Sequence, residues 1–306
     1  MANLYCMHLK RNDYEMRKKL ISYCLENQVL ALGWSFLFEP EYGNSIHSIQ
    51  DLVSVATAYY GKEKKPVSIF SKLAPGDLIW TRDLDGVYYL CQVLEAPTPE
   101  YNKELDIGAT VKVDIRKVGI SVPGTIVHRF STPRSPTIQR IVTPEYISEY
   151  SRHIYGQLSG QATDTDLSQI KFDLFELLDG FDLEELVIDY LQITRDYYLS
   201  KNSVARNDST IKIECELYPR NPLSGEPCAI LQVKGGDRGS PQLATEYQTY
   251  VSSGKKVFLF FSNGKYGEAV DGIEQITRDE LTNFAKTYRR ILPPAISHWI
   301  DLCFPE

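Results

Sequence analysis

The sequence predicts an α+β protein organised as two domains. Two observations lead there. The chain has 306 residues, enough for two hydrophobic cores of ordinary size. Its texture also changes midway: the first half reads as strands broken by Gly and Pro turn signals, and the second as helices alternating with strands. With 43% hydrophobic and 24% charged residues, the balance is that of a folded protein and not a disordered one.

In residues 1–150, NLYCMHL reads as a first strand. Tyr14 to Asn27 follows as an amphipathic helix with Met16, Leu20 and Cys24 on one face. VLALGWSFL is a short apolar run ending in a Gly-Trp step, and His47 to Tyr60 is a second helix burying Ile49, Leu52, Val53 and Ala56. KLAPGDLIWTRD and GVYYLCQVLEA read as a hairpin turning at Asp85-Gly86. ATVKVDIRKVGI alternates with the period of a half-buried strand. Pro123, Pro133, Pro136 and Pro144 argue against long regular structure over 121–144.

Residues 151–172, polar and rich in Gly, Ser and Thr over 153–169, are the expected linker. Within 173–306 a helical segment near Asp173 to Asp179 precedes a helix from Asp182 to Gln192, with Asp182 as the expected N-cap. Strands TIKIECELYP and EPCAILQVKGG, a helix from Ser240 to Ser252, the strand KKVFLFFSNG and a helix from Thr277 to Tyr288 follow. This is an α-β-β-α-β-α order, with ILPPAISHWIDLCF closing the chain.

Charge narrows the function classes. The net charge of −7 opposes binding nucleic acid through bulk positive charge. Residues 1–150 are neutral, with 17 Lys+Arg and 17 Asp+Glu, so the excess lies in the second half, much of it between Asp164 and Asp196. The six cysteines form no CxxC pair and read as buried apolar residues; the five histidines have no zinc-like spacing. No apolar run approaches the roughly 20 residues that span a bilayer, and the N-terminus lacks a signal-like stretch, so a cytoplasmic location is expected. No GxxxxGK[ST] loop points to a nucleotide cofactor, and no GxSxG or Cys/His pair points to acyl transfer.

One constellation carries chemistry. Lys212, Glu214 and Glu216 share one face of a strand, and Gln232 and Lys234 share one face of the next. Paired as a hairpin across Arg220–Gly225, they converge. Carboxylate and amide oxygens suit Mg²⁺, a hard cation, and a lysine can orient the attacking water of phosphodiester hydrolysis. Glu184 or Glu185 on the preceding helix is a further candidate ligand.

Glu214 and Gln232-x-Lys234, preceded by Asp182-Leu-Glu184-Glu185-Leu, resemble the PD-(D/E)xK nuclease superfamily over roughly residues 180–265, specifically Mrr-like restriction endonucleases that use Gln-x-Lys. The resemblance implies a C-terminal α/β restriction-endonuclease-like core, with a mixed sheet flanked by helices. It also implies that Glu214, Gln232 and Glu184 are metal ligands for Mg²⁺ (or Mn²⁺ in its place), with Lys234 as the catalytic lysine. Asp208 and Glu216 compete with Glu214 for the acidic position, where the family usually has aspartate.

The first half resembles a PUA-like β-barrel with helices, of the class that includes EVE and YTH readers. The cues are the early strand, the Gly33-Trp34 step and the Pro75-Gly76-Asp77 opening of a strand. The likeness implies a pocket for a flipped, modified base. Its candidate walls are Trp34 and Trp80, with Tyr88 or Tyr89 behind them and Asp83 as polar reader. Lys62, Lys64, Lys65, Arg129, Arg134 and Arg140 are candidate phosphate contacts. Together the two resemblances imply a modification-dependent DNA endonuclease of a restriction or antiviral defence system, acting as a homodimer if it cuts both strands. A non-catalytic nucleic-acid-binding protein on a degenerate nuclease fold, and an RNA-directed nuclease, are the alternatives.

Overall fold

The structure is a computed structural model that describes every residue except 1, 12, 41–45, 133, 134, 143, 145, 162–166, 203–214, 236–246, 267 and 306. The chain is mixed α and β and divides into two compact units. One comprises 1–122 and 126–170; the other comprises 123–125 and 171–306. No helix among the described residues is long and apolar enough to cross a membrane.

The first unit runs β1 (Leu4–Met7), α1 (Tyr14–Asn27), β2 (Val29–Leu32), α2 (Ile49–Tyr60), α3 (Lys65–Phe70), β3 (Leu78–Arg82), β4 (Tyr88–Val93), β5 (Thr98–Asn102) and β6 (Ile107–Gly119). It ends with α4 (Gly124–Ser131), whose first residues belong to the other unit, then β7 (Ile138–Ile141) and α5 (Tyr146–Ser159). Local chemistry sets the helix starts. Asp13 caps α1 by accepting from Met16 N at 2.8 Å, and Ser48 with Asp51 forms a reciprocal capping box on α2.

Seven strands form one curled half-barrel sheet, in the order β2-β6-β4-β3-β1-β7 with β5 also on β6. The curl comes through β6. Its first half pairs β2 and β5, and its second half pairs β4. Only β1 and β3 pair in parallel. The sheet and helices α1–α3 close over a core that includes Leu20, Leu30, Leu52, Phe70, Ile79 and Val111.

One expectation is corrected here. The stretch taken as a linker, 151–172, contains the second half of α5, with Ser151 and Tyr155 buried against the sheet. The Pro-rich 121–144 holds only the short elements α4 and β7, which its prolines flank without interrupting.

The second unit runs α6 (Leu174–Leu177), α7 (Gly180–Thr194), β8 (Tyr197–Asn202), β9 (Cys215–Pro219), β10 (Ala229–Lys234), α8 (Gln248–Ser252), β11 (Lys256–Phe261), β12 (Ile273–Ile276), α9 (Arg278–Tyr288) and α10 (Pro294–Cys303). Its five-stranded sheet has the order β12-β11-β10-β9-β8. β8, β9 and β10 form an antiparallel meander, and β10, β11 and β12 are parallel. Paired residues share a face, so Ile230, Gln232 and Lys234 lie with Val257, Leu259 and Phe261. Ile230, Val257, Leu259 and Phe261 pack with Tyr247. On the opposite face Phe260 meets Phe175 (5.3 Å between rings) and Phe258 meets Tyr197 (5.5 Å).

The observed order adds two strands, β8 and β12, to the expected one. Asp179, not Asp182, caps α7: its Oδ1 accepts from Phe181 N and Asp182 N at 2.8 and 2.9 Å.

The seam between α5 and the half-barrel sheet rests on one buried polar contact. Trp80 Nε1 donates to Ser151 Oγ at 2.9 Å, and both residues have no exposed surface. Ser151→Ala leaves the indole N–H unsatisfied and is expected to lower stability by about 1–3 kcal/mol. In a urea-unfolding double-mutant cycle, Trp80→Phe with Ser151→Ala should lose less than the sum of the single losses; strict additivity would disprove the coupling.

Candidate active site at the end of β10

β10 is paired on both edges, and five of its six residues are buried. Such a strand calls for apolar side chains on both faces, and AILQVK supplies them except at Gln232 and Lys234. Gln232 is 1% exposed, and its Nε2 donates to Val233 O at 3.1 Å. That bond orients the amide so that Oε1 is its accepting atom. Lys234 is half-buried at the strand's end, where its carbonyl accepts from Ser262 N at 2.9 Å and ties the ends of β10 and β11 together.

The start of α7 lies against this end. A side chain on Gly235 would bring its first carbon to 3.3 Å from Leu183 Cδ2, a tight approach. Leu183 is flanked by Asp182 and by Glu184, which is half-buried. The structure therefore brings the strand end that carries Lys234 next to the helix turn that carries Glu184.

Acidic groups crowd the same helix turn. Burial first, then the charges of Asp179 and Glu185, push the Asp182 carboxyl up to about 6. Burial and Glu185 also raise Asp189. The helix dipole favours an anion in this first turn, but burial and like charge outweigh it. Sequence reading missed this group as a unit, although the Asp179, Asp182, Glu185 spacing shows that the three can share one side of a helix.

The remaining candidates separate clearly. Glu214 and Asp208 lie outside the described residues. Glu216 stands opposite Ile230 and pairs with Lys255 at 2.9 Å, a hydrogen bond that raises the Lys255 pKa. It sits toward the far end of β10 from Lys234, which removes it as competitor for the acidic position. Among the described residues no three His, Cys, Asp or Glu side chains group to hold a metal. Gln232 and Glu184 do offer the oxygen donors a hard cation takes.

In the first unit, four of the five candidate base-binding residues make structural contacts. Trp80 is fully buried and bonded to Ser151, so it has no face for a base. Tyr88 is 3% exposed, edge-on to Phe130 at 5.5 Å. Asp83 builds the hairpin turn by accepting from Asp85 N and Val87 N, and it takes the Tyr89 hydroxyl at 3.0 Å. Burial, then that bond, pushes Tyr89 up to about 12.

Trp34 differs. It is half-buried, its φ is 72°, and its indole N–H donates to Tyr60 Oη at 3.1 Å. A positive φ is rare for a bulky side chain and marks local strain. Among the candidate phosphate contacts, Lys64 lies over the Tyr60 ring (3.6 Å to its centroid), Lys62, Lys65 and Arg140 are exposed, and Arg134 is outside the described residues.

The raised Asp182 pKa has a signed consequence. Its stabilising share is complete below the unfolded value near 3.8 and is lost as pH rises through 6. Asp182→Asn should therefore melt at a higher temperature than wild type at pH 7.5, with the gap closing by pH 4; an equal gap at both pH values would refute the assignment. The chain matches no protein-family model, and no curated protein matches it.

Proposed function

We propose that this chain is a metal-dependent endonuclease that hydrolyses phosphodiester bonds in DNA, with a PD-(D/E)xK core in its second unit. One observation carries the reading. In the order α7-β8-β9-β10-α8-β11, with β11 parallel to β10, Gln232-x-Lys234 ends a central strand, and the Gly235 that follows lies close to Leu183 of α7. This supports the resemblance to Mrr-like nucleases.

On this reading Glu184 and Gln232, with Glu214, would hold Mg²⁺ or Mn²⁺. When bound, the ion polarises the scissile phosphate and lowers the pKa of a water. Lys234, half-buried at the end of β10, would orient a water for attack and offset charge developing on the phosphate oxygens. The first unit is proposed as a PUA-like reader of a modified base, with Trp34 as the remaining candidate wall. The two activities together fit a modification-dependent restriction or defence enzyme. Cutting both strands of a duplex would call for two copies of the site, hence a homodimer.

A second reading is favoured by the burial of Gln232 and the lack of a metal-holding group among the described acids. On it, the nuclease fold is a scaffold for a nucleic-acid-binding protein without cleavage.

The deciding experiment is cleavage of matched unmodified DNA, modified-cytosine DNA and RNA with Mg²⁺ or Mn²⁺. Lys234→Ala should lower the cleavage rate about 10²–10⁴-fold while binding persists. A variant that cuts at the wild-type rate refutes the role of Lys234, and metal-independent binding without cleavage by wild type selects the second reading. Preferential cutting of RNA would reassign the substrate.

A further inference from the structure

One end of the first unit's sheet gathers cations from four separate segments. β1 and β3 run in parallel and end there, so His8 and Lys10 follow β1 and Arg82 closes β3. Arg17 comes from the first turns of α1, and Arg129 from the last turn of α4.

Aromatic rings hold the group together. The His8 ring lies 4.6 Å from that of Phe130, which meets Tyr88 at 5.5 Å, and the Arg82 guanidinium lies 5.2 Å from the Tyr88 centroid. His8 Nε2 donates to Arg129 O at 3.2 Å, Arg17 Nε donates to Leu9 O at 2.9 Å, and the Lys10 ammonium donates to Ser135 O. The backbone carbonyls thus fix where the cations point.

Three of these cations stand apart from the carboxylates. Among the described residues, Lys10, Arg17 and Arg82 form no ion pair with an acid, although elsewhere in this unit Arg11, Lys103, Lys112 and Arg116 all do. Arg82 Nε is also buried with no hydrogen-bond partner among the described residues, an arrangement that costs stability. The surroundings register the field. Burial and then Lys10 push His8 down to about 4, with Arg17 and Arg82 adding to the effect; Lys10 is itself lowered by burial and by Arg17. In a chain of net charge −7, a cluster in which Lys10, Arg17 and Arg82 form no ion pair among the described residues calls for an anion from outside.

We propose that this end of the sheet binds the phosphodiester backbone of a nucleic acid through Lys10, Arg17, Arg82 and Arg129. The proposal rests on the reading of the chain as a nucleic-acid enzyme and names a contact surface of its first unit. Several cations spread over four segments match successive phosphates along a strand better than one isolated phosphate group.

The test is fluorescence anisotropy of a fluorescein-labelled 20-base-pair duplex with the full chain, in EDTA so that no cleavage intervenes, across a salt series. Removing two phosphate contacts in Lys10→Gln/Arg17→Gln should make the slope of log K against log salt less negative by about 1.8. It should weaken binding roughly 50-fold at 0.1 M salt. Arg17→Lys, which keeps the charge, should restore most of its share, and Lys72→Gln/Lys112→Gln, which removes two exposed lysines elsewhere in this unit, should change little. Thermal melts of each variant check that the fold is intact.

Unchanged affinity and slope in Lys10→Gln/Arg17→Gln, or an equal loss in the Lys72/Lys112 control, would overturn the proposal. Displacement of the duplex by deoxyadenosine monophosphate at matched phosphate concentration would overturn the backbone assignment. The nuclease reading is scored separately. A chain that binds through this cluster but never cuts DNA with Mg²⁺ refutes the nuclease alone, and one that cuts DNA yet ignores the substitutions refutes the cluster alone.

Discussion

The second unit depends on β10 being buried between two different kinds of neighbour. One edge pairs antiparallel with β9 and the other parallel with β11. An antiparallel partner can arrive by a short turn, and residues 220–228 suffice for β9 to reach β10. A parallel partner must be reached by a crossover, so the chain has to leave the sheet after Lys234 and return before Lys256, with α8 on the way. The polar end of the strand therefore falls where the chain must turn away from its own sheet, at the carboxyl ends of β10 and β11. Open sheets place ligands at such positions, because the diverging connections leave room there.

The charge is divided unevenly between the two parts of the chain. The first 150 residues are neutral overall, and the acidic excess lies beyond them. Within the second unit, α7 concentrates carboxylates in its first turns, and Asp182 is half-buried among them with its pKa raised. Surface acids would cost little; a buried one beside two others opposes folding at neutral pH unless a cation or a proton arrives. In the first unit the imbalance has the opposite sign, with Lys10, Arg17 and Arg82 in no ion pair among the described residues. Neither imbalance is needed to close a core. Each is a standing cost that an ion of the complementary sign would relieve, a metal in one unit and a phosphate in the other.

Elements with strong local signals were legible in the sequence. The Asp85-Gly86 step marked the β3–β4 hairpin, because Gly86 takes the φ of 85° with which the short loop between Asp83 and Val87 closes. The apolar stripe of α1 and the Thr277–Glu280 capping box of α9 marked helices whose bounds the structure reproduces within a residue. Elements defined by tertiary contact were not legible. YYLSKN forms β8 because β9 offers an edge to pair with, and nothing in its own polar pattern says so. The α5 segment read as a linker because its Gly, Ser and Gln residues hide a face made of Ile147, Tyr150, Ser151 and Tyr155. That helix also explains why Trp80 was misread: a strand aromatic looks available to a ligand until the helix that covers it is recognised. At the candidate site, Gln232-x-Lys234 was visible as spacing on a strand. The approach of α7 to Gly235 depends on three-dimensional packing and was not.

An amide at position 232 shapes what the proposed site can do. A carboxylate at 1% exposure in a strand buried on both faces would carry a heavy desolvation cost. A glutamine pays far less once its N–H is bonded, as it is to Val233 O, and it still presents an oxygen. It brings no charge, however, so attraction for a divalent cation would have to come from carboxylates on other elements, those of α7 among them. The hold on a metal would then depend on how closely α7 seats against the end of β10. Gly235 eases that approach, since a side chain's first carbon there would lie 3.3 Å from Leu183 Cδ2 and oblige Leu183 to give way. Under this arrangement the strand contributes lysine and a neutral oxygen, the helix contributes the charge, and the seam between them governs whether the two act on the same phosphate.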